Sequence, residues 1–188
     1  MTQLLTDRQI RALARKGMIE PFHEEEYGSA PLSAGVTSLG YDARLGYEFK
    51  QLKWPSSMGV HTIDPTNISH DDFQEETLYD DLYCLDPGHF VLGHTIEYFR
   101  MPENVGAVCY GKSTYARCGI HVNVTPLEPG WEGQVTLEIF NQSTKTVVLH
   151  PGRGICQFQF FAVNERPEIT YRDKGGKYQG QTGVTHAR

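Results

Sequence analysis

The chain has no apolar run near the ~20 residues of a membrane-spanning helix, and its first residues carry no basic-then-apolar leader pattern. It is therefore expected to have no membrane role and to stay in the cytoplasm. Positive charge is also scarce: 17 Lys and Arg stand against 23 Asp and Glu, for a formal net charge of -6. Binding along a nucleic-acid backbone needs an excess of Lys and Arg, so no nucleic-acid partner is expected. The four cysteines, Cys84, Cys109, Cys118 and Cys156, include no CxxC pair, and most are expected to be small buried hydrophobes in a reducing compartment. Zinc patterns are incomplete as well. His23-Glu24-Glu25-Glu26-Tyr27 begins like a zinc-hydrolase helix but lacks a second histidine four residues on, and no H-x-E is followed by P-C-x-x-C. No zinc is expected.

What is present is typical of a turn-rich β protein: Gly 19, Pro 10, Tyr 10 and Phe 9 in 188 residues, enough for one domain spanning 1–188. The N-terminus reads as a short helix. Thr6 and Gln9 form a capping-box pattern, Leu5 and Ile10 a hydrophobic staple, and Gly17 closes the helix. Beyond residue 40 the period shortens, and residues 45–53 read as a strand. Residues 55–81, polar and Pro-containing, read as a surface excursion. Short strands are expected at 82–85, 90–99, 105–110, 121–125, 134–141, 147–149 and 155–163, between signals such as Asp86-Pro87-Gly88 and Pro151-Gly152. That spacing, with a single helix at the start, favours a β-barrel or jelly-roll. The tail from about Tyr171 is glycine-rich and apolar-poor, and is expected to be mobile unless a ligand orders it.

Most of the chemistry lies in residues 111–141. Gly106 to Ser113 satisfies the P-loop expression GxxxxGK[ST], but Ala107, Val108, Cys109 and Tyr110 read as a strand, and Gly119 leaves no room for the long helix that motif needs. What remains is a turn that presents Lys112, Ser113, Thr114 and Arg117, groups suited to phosphate oxygens. Further on, Thr136, Glu138 and Phe140 share one face of a strand. Glu138 is an acid in an apolar run. It is either half-exposed to water or a general base in a pocket with Arg117 or a hydroxyl as partner.

Taken in order, these segments resemble the dCTP deaminases of the dUTPase-like superfamily. Gly111-Lys112-Ser113-Thr114-Tyr115-Ala116-Arg117 is similar to that family's G-[KR]-S-S-x-x-R segment, and Pro129-Gly130-Trp131-Glu132-Gly133 to its PGWxG turn. Thr136-Leu137-Glu138 with Asn141 resembles its [VT]-L-E-x-x-N strand, and Gly40 to Gly46 its D-x-R-L-G element. Pro151-Gly152, Gln157 and Lys177 to Gln181 fit the later parts.

The resemblance implies a distorted all-β barrel or jelly-roll of the dUTPase-like type, assembled as a homotrimer with active sites shared between subunits. It implies deamination of dCTP to dUTP without zinc, with Mg2+ carried by the triphosphate and dTTP as a candidate inhibitor. Glu138, Ser113 and Arg117 would be catalytic: Glu138 activating water, Ser113 orienting it and Arg117 holding Glu138. Lys112, Ser113, Thr114 and Arg117 would bind the triphosphate, Trp131 would wall the sugar, and Thr136 and Leu137 would meet the base through their backbone. Gln157, Tyr171, Lys177 and Gln181 would contact the nucleotide. Glu128 stands where many members have the Asp that contacts the sugar. Two alternatives remain at this point: a bifunctional enzyme releasing dUMP and pyrophosphate, and a non-catalytic dNTP-binding regulator.

Overall fold

Local sequence sets the first elements. The computed structural model describes residues 2–24, 31–53, 62–68, 72–77 and 82–187. Strand β1 (Gln3–Leu4) leads into helix α1 (Asp7–Ala14). The Thr6 backbone N–H donates to Gln9 Oε1 at 3.0 Å, as the capping-box pattern requires. Leu5 and Ile10, the staple pair, are both buried. Gly17 closes the helix at φ +93°, and the Met18 N–H returns to the Leu13 carbonyl at 3.1 Å. The apolar face packs on β2 (Ile19–Glu20), β3 (Gly35–Thr37) and β4 (Gly40–Arg44).

The later strands are β5 (Glu48–Leu52), β6 (Phe73–Thr77), β7 (Tyr83–Leu85), β8 (Phe90–Arg100), β9 (Val105–Gly111), β10 (Ile120–Asn123), β11 (Glu132–Asn141), β12 (Val147–Leu149) and β13 (Gly154–Ala162). A single helical turn, α2 (Ser113–Arg117), joins β9 to β10. All pairings between these strands are antiparallel. In one sheet β13 pairs with β9 on one side and with β4 and β1 on the other, and β3 lies beyond β4. In the second the order is β10-β11-β8-β5-β6, with β2 also on β8. β7 and β12 form a separate pair. Phe99 of β8 lies 4.9 Å, ring centre to ring centre, from Phe158 of β13, so both sheets feed one aromatic core. The all-β expectation holds as open antiparallel sheets, with no closed barrel among the described residues.

Three expectations need correction. Residues 45–53 do not form one strand. Leu45 makes an isolated bridge to Thr95, and regular pairing resumes only at Glu48, because the chain crosses here from one sheet to the other. Gly46 allows that crossing: a Cβ there would lie 2.2 Å from His94 Nε2. Within 55–81, residues 54–61, 69–71 and 78–81 lie outside the described residues, but Phe73–Thr77 is a strand on β5. Its polar FQEET composition hid a segment held by a neighbouring edge and by burial of Phe73. The cysteines are all free, but Cys84 and Cys118 are exposed; Cys156 alone is fully buried.

The junction of the sheets carries a charge. Glu97 of β8 is completely buried and accepts from Arg44 Nε at 2.7 Å, from the Arg44 backbone N–H at 2.9 Å and from the Tyr41 hydroxyl at 3.1 Å. Burial, reinforced by the Glu97 charge, pushes the Tyr41 phenol well above its ordinary value, so it keeps its proton as a donor. Removing one partner of such a pair leaves an uncompensated buried charge. Arg44→Met is expected to cost about 3–5 kcal/mol, read as a lower urea midpoint with an unchanged m-value. A loss below ~1 kcal/mol, the worth of a surface ion pair, would show that Glu97 is not a buried charge in solution.

Candidate active site

β11 alternates strictly. Val135, Leu137 and Ile139 are buried in the core, whereas Thr136 and Glu138 are half-buried on the opposite face and Phe140 is exposed. Glu138 pairs across β10 with Asn123, whose Nδ2 donates to Glu138 Oε2 at 2.7 Å. Burial raises the Glu138 pKa above its ordinary value, and the Asn123 hydrogen bond opposes the shift. A carboxylate with a raised pKa is a stronger base than an ordinary glutamate, as proton transfer from water requires.

Glu138 borders a cavity of about 380 Å3, within the usual range for small-molecule sites. Trp131, Val135 and Thr136 line it, as do Thr125 and Pro126 from the segment after β10. Its apolar wall comes from Phe73, Phe90 and Leu92. Pairing with β10 ends at Glu138, and the next contact along that side of β11 is the bridge from Gly133 to Gln181. Residues 135–137 therefore have no strand partner on this side among the described residues, while the Val135 N–H is bonded to Thr95 Oγ1 at 2.9 Å.

The tail completes the cavity. Tyr171, Tyr178, Gln181, Thr185 and His186 line it. The Gln134 N–H donates to the Gln181 carbonyl at 2.9 Å, and Gln181 Nε2 donates to the Gln134 carbonyl at 2.8 Å. Trp131 Nε1 donates to the Tyr178 carbonyl at 3.2 Å. Val184 is buried with Phe73 and Leu92. The sequence offered little sign of this docking without a ligand, since each bond has a main-chain group at one end at least and the apolar anchor is a lone residue near the end.

The basic and hydroxyl cluster lies elsewhere on the chain. The supposed P-loop is strand β9, paired with β13 over its whole length. Lys112 forms an ion pair with Asp42 and bonds Ser33 Oγ at 3.3 Å, while Gln157 Nε2 donates to the other oxygen of Asp42 at 3.0 Å. Ser113, Thr114 and Arg117 are exposed on α2, which Tyr115 anchors through a bond from the His150 N–H to its hydroxyl at 3.0 Å. Arg117 pairs with no carboxylate among the described residues. α2 packs on the Ile120 end of β10, opposite Asn141, which is about 10 Å along β11 from Glu138 at ~3.3 Å per residue.

The dCTP deaminase-like family model matches residues 4–163. This chain belongs to the dCTP deaminase-like family. It is 48% identical over 189 residues to a dCTP deaminase of Erythrobacter litoralis, covering 98% of each chain. With a dCTP deaminase of Helicobacter hepaticus it shares 46% over 183 residues, covering 97% of this chain and 96% of the relative. The crystal structure of a 2'-deoxycytidine 5'-triphosphate deaminase from Agrobacterium tumefaciens shares the fold, with a TM-score of 0.65 at 21% identity. The match covers 86% of this chain and 48% of that one, so the chain spans about half the length of that structure.

Of the site residues expected from family resemblance, Trp131, Thr136, Glu138, Tyr171 and Gln181 come together around one cavity. Lys112 and Gln157 gather at Asp42, with Ser113, Thr114 and Arg117 beside them on α2. Within one chain Arg117 does not hold Glu138; Asn123 does, because β10 sets it directly opposite. The Leu137 side chain is wholly buried, so only its backbone is available to a ligand. Glu128 pairs with Lys174 at 2.6 Å and Lys177 stands 5.2 Å over the Tyr178 ring, both outside the cavity lining. Asn123, Asp42 and His186 were not anticipated. For Asn123 a signal existed: alternation through His121, Asn123 and Thr125 puts polar groups on one face of a short strand. For Asp42 the signal was a lone acid in the Gly40 to Gly46 element. His186 had none.

Trp131 offers a direct report on tail docking. In a Trp54→Phe background it is the single tryptophan. Deleting residues 171–188 is expected to red-shift its emission by exposing a side chain now only 5% accessible. An unshifted spectrum would mean that the tail does not cover Trp131 in solution.

Proposed function

We propose that this protein hydrolyses the 4-amino group of dCTP, giving dUTP and ammonia, without zinc and in the cytoplasm. The observation that carries this reading is Glu138, a carboxylate raised in pKa by burial at the edge of a nucleotide-sized cavity. In the reaction Glu138 takes a proton from water as the oxygen bonds to C4 of cytosine, and the π pair of the C4=N3 bond moves to N3, which receives that proton from Glu138. Glu138 then takes the proton of the new C4 hydroxyl and passes it to the amino group, which leaves as ammonia with the C4–N bond pair while C4=O forms. The base meets the open side of β11 at 135–137, Trp131 bounds the sugar, and the tail through Tyr171 and Gln181 closes over the nucleotide. Water and base thus react in a site from which the tail excludes bulk solvent.

The exposed Ser113, Thr114 and Arg117, with Lys112 behind them, serve the triphosphate and the reacting centre of a neighbouring subunit. Their separation from Glu138 within one chain, and the lack of a carboxylate partner for Arg117 among the described residues, support a homotrimer with shared sites. No group of three or more His, Cys, Asp or Glu side chains able to hold a metal gathers among the described residues. In this reading Mg2+ travels on the phosphate oxygens, where it offsets their charge. dTTP, a pyrimidine triphosphate of similar shape, would compete for the cavity.

Incubation with dCTP and Mg2+, following base and phosphate together, tests the reaction: dUTP and ammonia are expected. Formation of dUMP and pyrophosphate would assign the bifunctional reaction, and binding without turnover a regulator. Glu138→Gln is expected to lower kcat by about 10²–10⁴-fold, the scale of a positioned acid–base group. As pH falls, protonation of Glu138 removes the base, so the acid limb of kcat/KM is expected above 4.5, the ordinary value for a glutamate. Mixing inactive Glu138→Gln with inactive Arg117→Ala subunits is expected to recover activity; no recovery would sink the shared-site arrangement.

A further inference from the structure

We infer that Asn123 is a positioning residue for Glu138, fixing which carboxylate oxygen handles the proton. This inference rests on the reading of Glu138 as the acid–base group. β10 and β11 pair with Asn123 directly opposite Glu138, so the two side chains emerge together on one face. The 2.7 Å contact from Asn123 Nδ2 to Glu138 Oε2 has the length of a charge-assisted hydrogen bond. It occupies Oε2 and leaves Oε1 to take the proton of a nucleophilic water. An amide suits this task because it does not titrate: it donates equally at every pH at which the enzyme works, and adds no charge that would lower the Glu138 pKa as an arginine would.

The other groups around Glu138 leave that role to Asn123. β8 presents Phe90 and Leu92, both apolar, in the positions opposite Phe140 and Glu138. On β10 the nearest titratable side chain is the exposed His121, opposite Phe140. The tail brings Tyr171, Tyr178 and His186 to the cavity. None of these forms an ion pair with Glu138 among the described residues. Burial raises the Glu138 pKa, and among the described residues the Asn123 bond is the one specific contact that opposes the rise.

The test is the pH profile of kcat/KM for dCTP in wild type, Asn123→Ala, Asn123→Asp and Asn123→Gln, together with a carbon-13 NMR titration of the Glu138 carboxyl assigned with Glu138→Gln. Losing a bond that favours the carboxylate raises its pKa. The acid limb and the NMR titration of Asn123→Ala are therefore expected to move up by about one pH unit, the scale of one hydrogen bond to a charged group. Asn123→Asp, near-isosteric and facing Glu138 with a second carboxylate, is expected to move both further. Asn123→Gln, which retains an amide donor, is expected to bring them back towards wild type. The inference is overturned if limb and titration stay in place in Asn123→Ala and Asn123→Asp, even when activity falls uniformly across pH. Should Asn123→Ala not fold, the near-isosteric Asn123→Asp decides. Should wild type not turn over dCTP, the proposed reaction fails, while the NMR titration still decides the role of Asn123.

Discussion

The buried Glu97 carboxylate is the interaction around which this fold is organised. It lies in β8, the strand that carries β11 on one side and β5 on the other, and it reaches across to Arg44 and Tyr41 of β4 in the opposite sheet. A charge taken out of water must have its partners in fixed places, and three donors leave it little freedom. Hydrophobic contact alone would let two apolar faces slide by small amounts at low cost. The clamp sets their relative position as well as holding them together.

Both parts of the proposed site are placed from that junction. Asp42, two residues before Arg44 on β4, gathers Lys112 and Gln157 and so seats the start of α2. β8 pairs with β11 in the register that puts Glu138 opposite Leu92 and leaves its side chain on the face away from the core. A bulge between Gln134 and Thr136 interrupts this pairing beside the cavity. The tail then uses Gln134 as an anchor, bonding its main chain and its side chain. Cavity and tail contacts are therefore built on a single strand, and Glu138 lies four residues from the anchor.

Much of the architecture could be read locally. The capping box at Thr6, the closure at Gly17 and seven of the later strands follow from short-range rules that need only neighbouring residues. β6 and the break at Leu45 could not be read this way. The first is polar and exists because β5 presents an unpaired edge; the second is a crossing between sheets, recorded in the sequence only as a glycine. At the site, alternation alone put Thr136 and Glu138 on one face, and ordered motifs picked out Lys112, Ser113 and Arg117. Asn123 as the partner of Glu138 and the docked tail depend on strand register and main-chain bonding, which residue types do not specify.

The sequence by itself determined the all-β class, the family and the chemical repertoire: an acid in an apolar strand, a basic and hydroxyl turn, and no metal-binding pattern. These follow from residue identity and spacing over a few positions. Only the tertiary structure decided that Glu138 is held by Asn123 and that the basic turn is answered by Asp42. It also decided that cavity and turn occupy separate places on one chain. The physical reason is that these pairings join residues 15 and 70 positions apart, which strand register and sheet packing bring together.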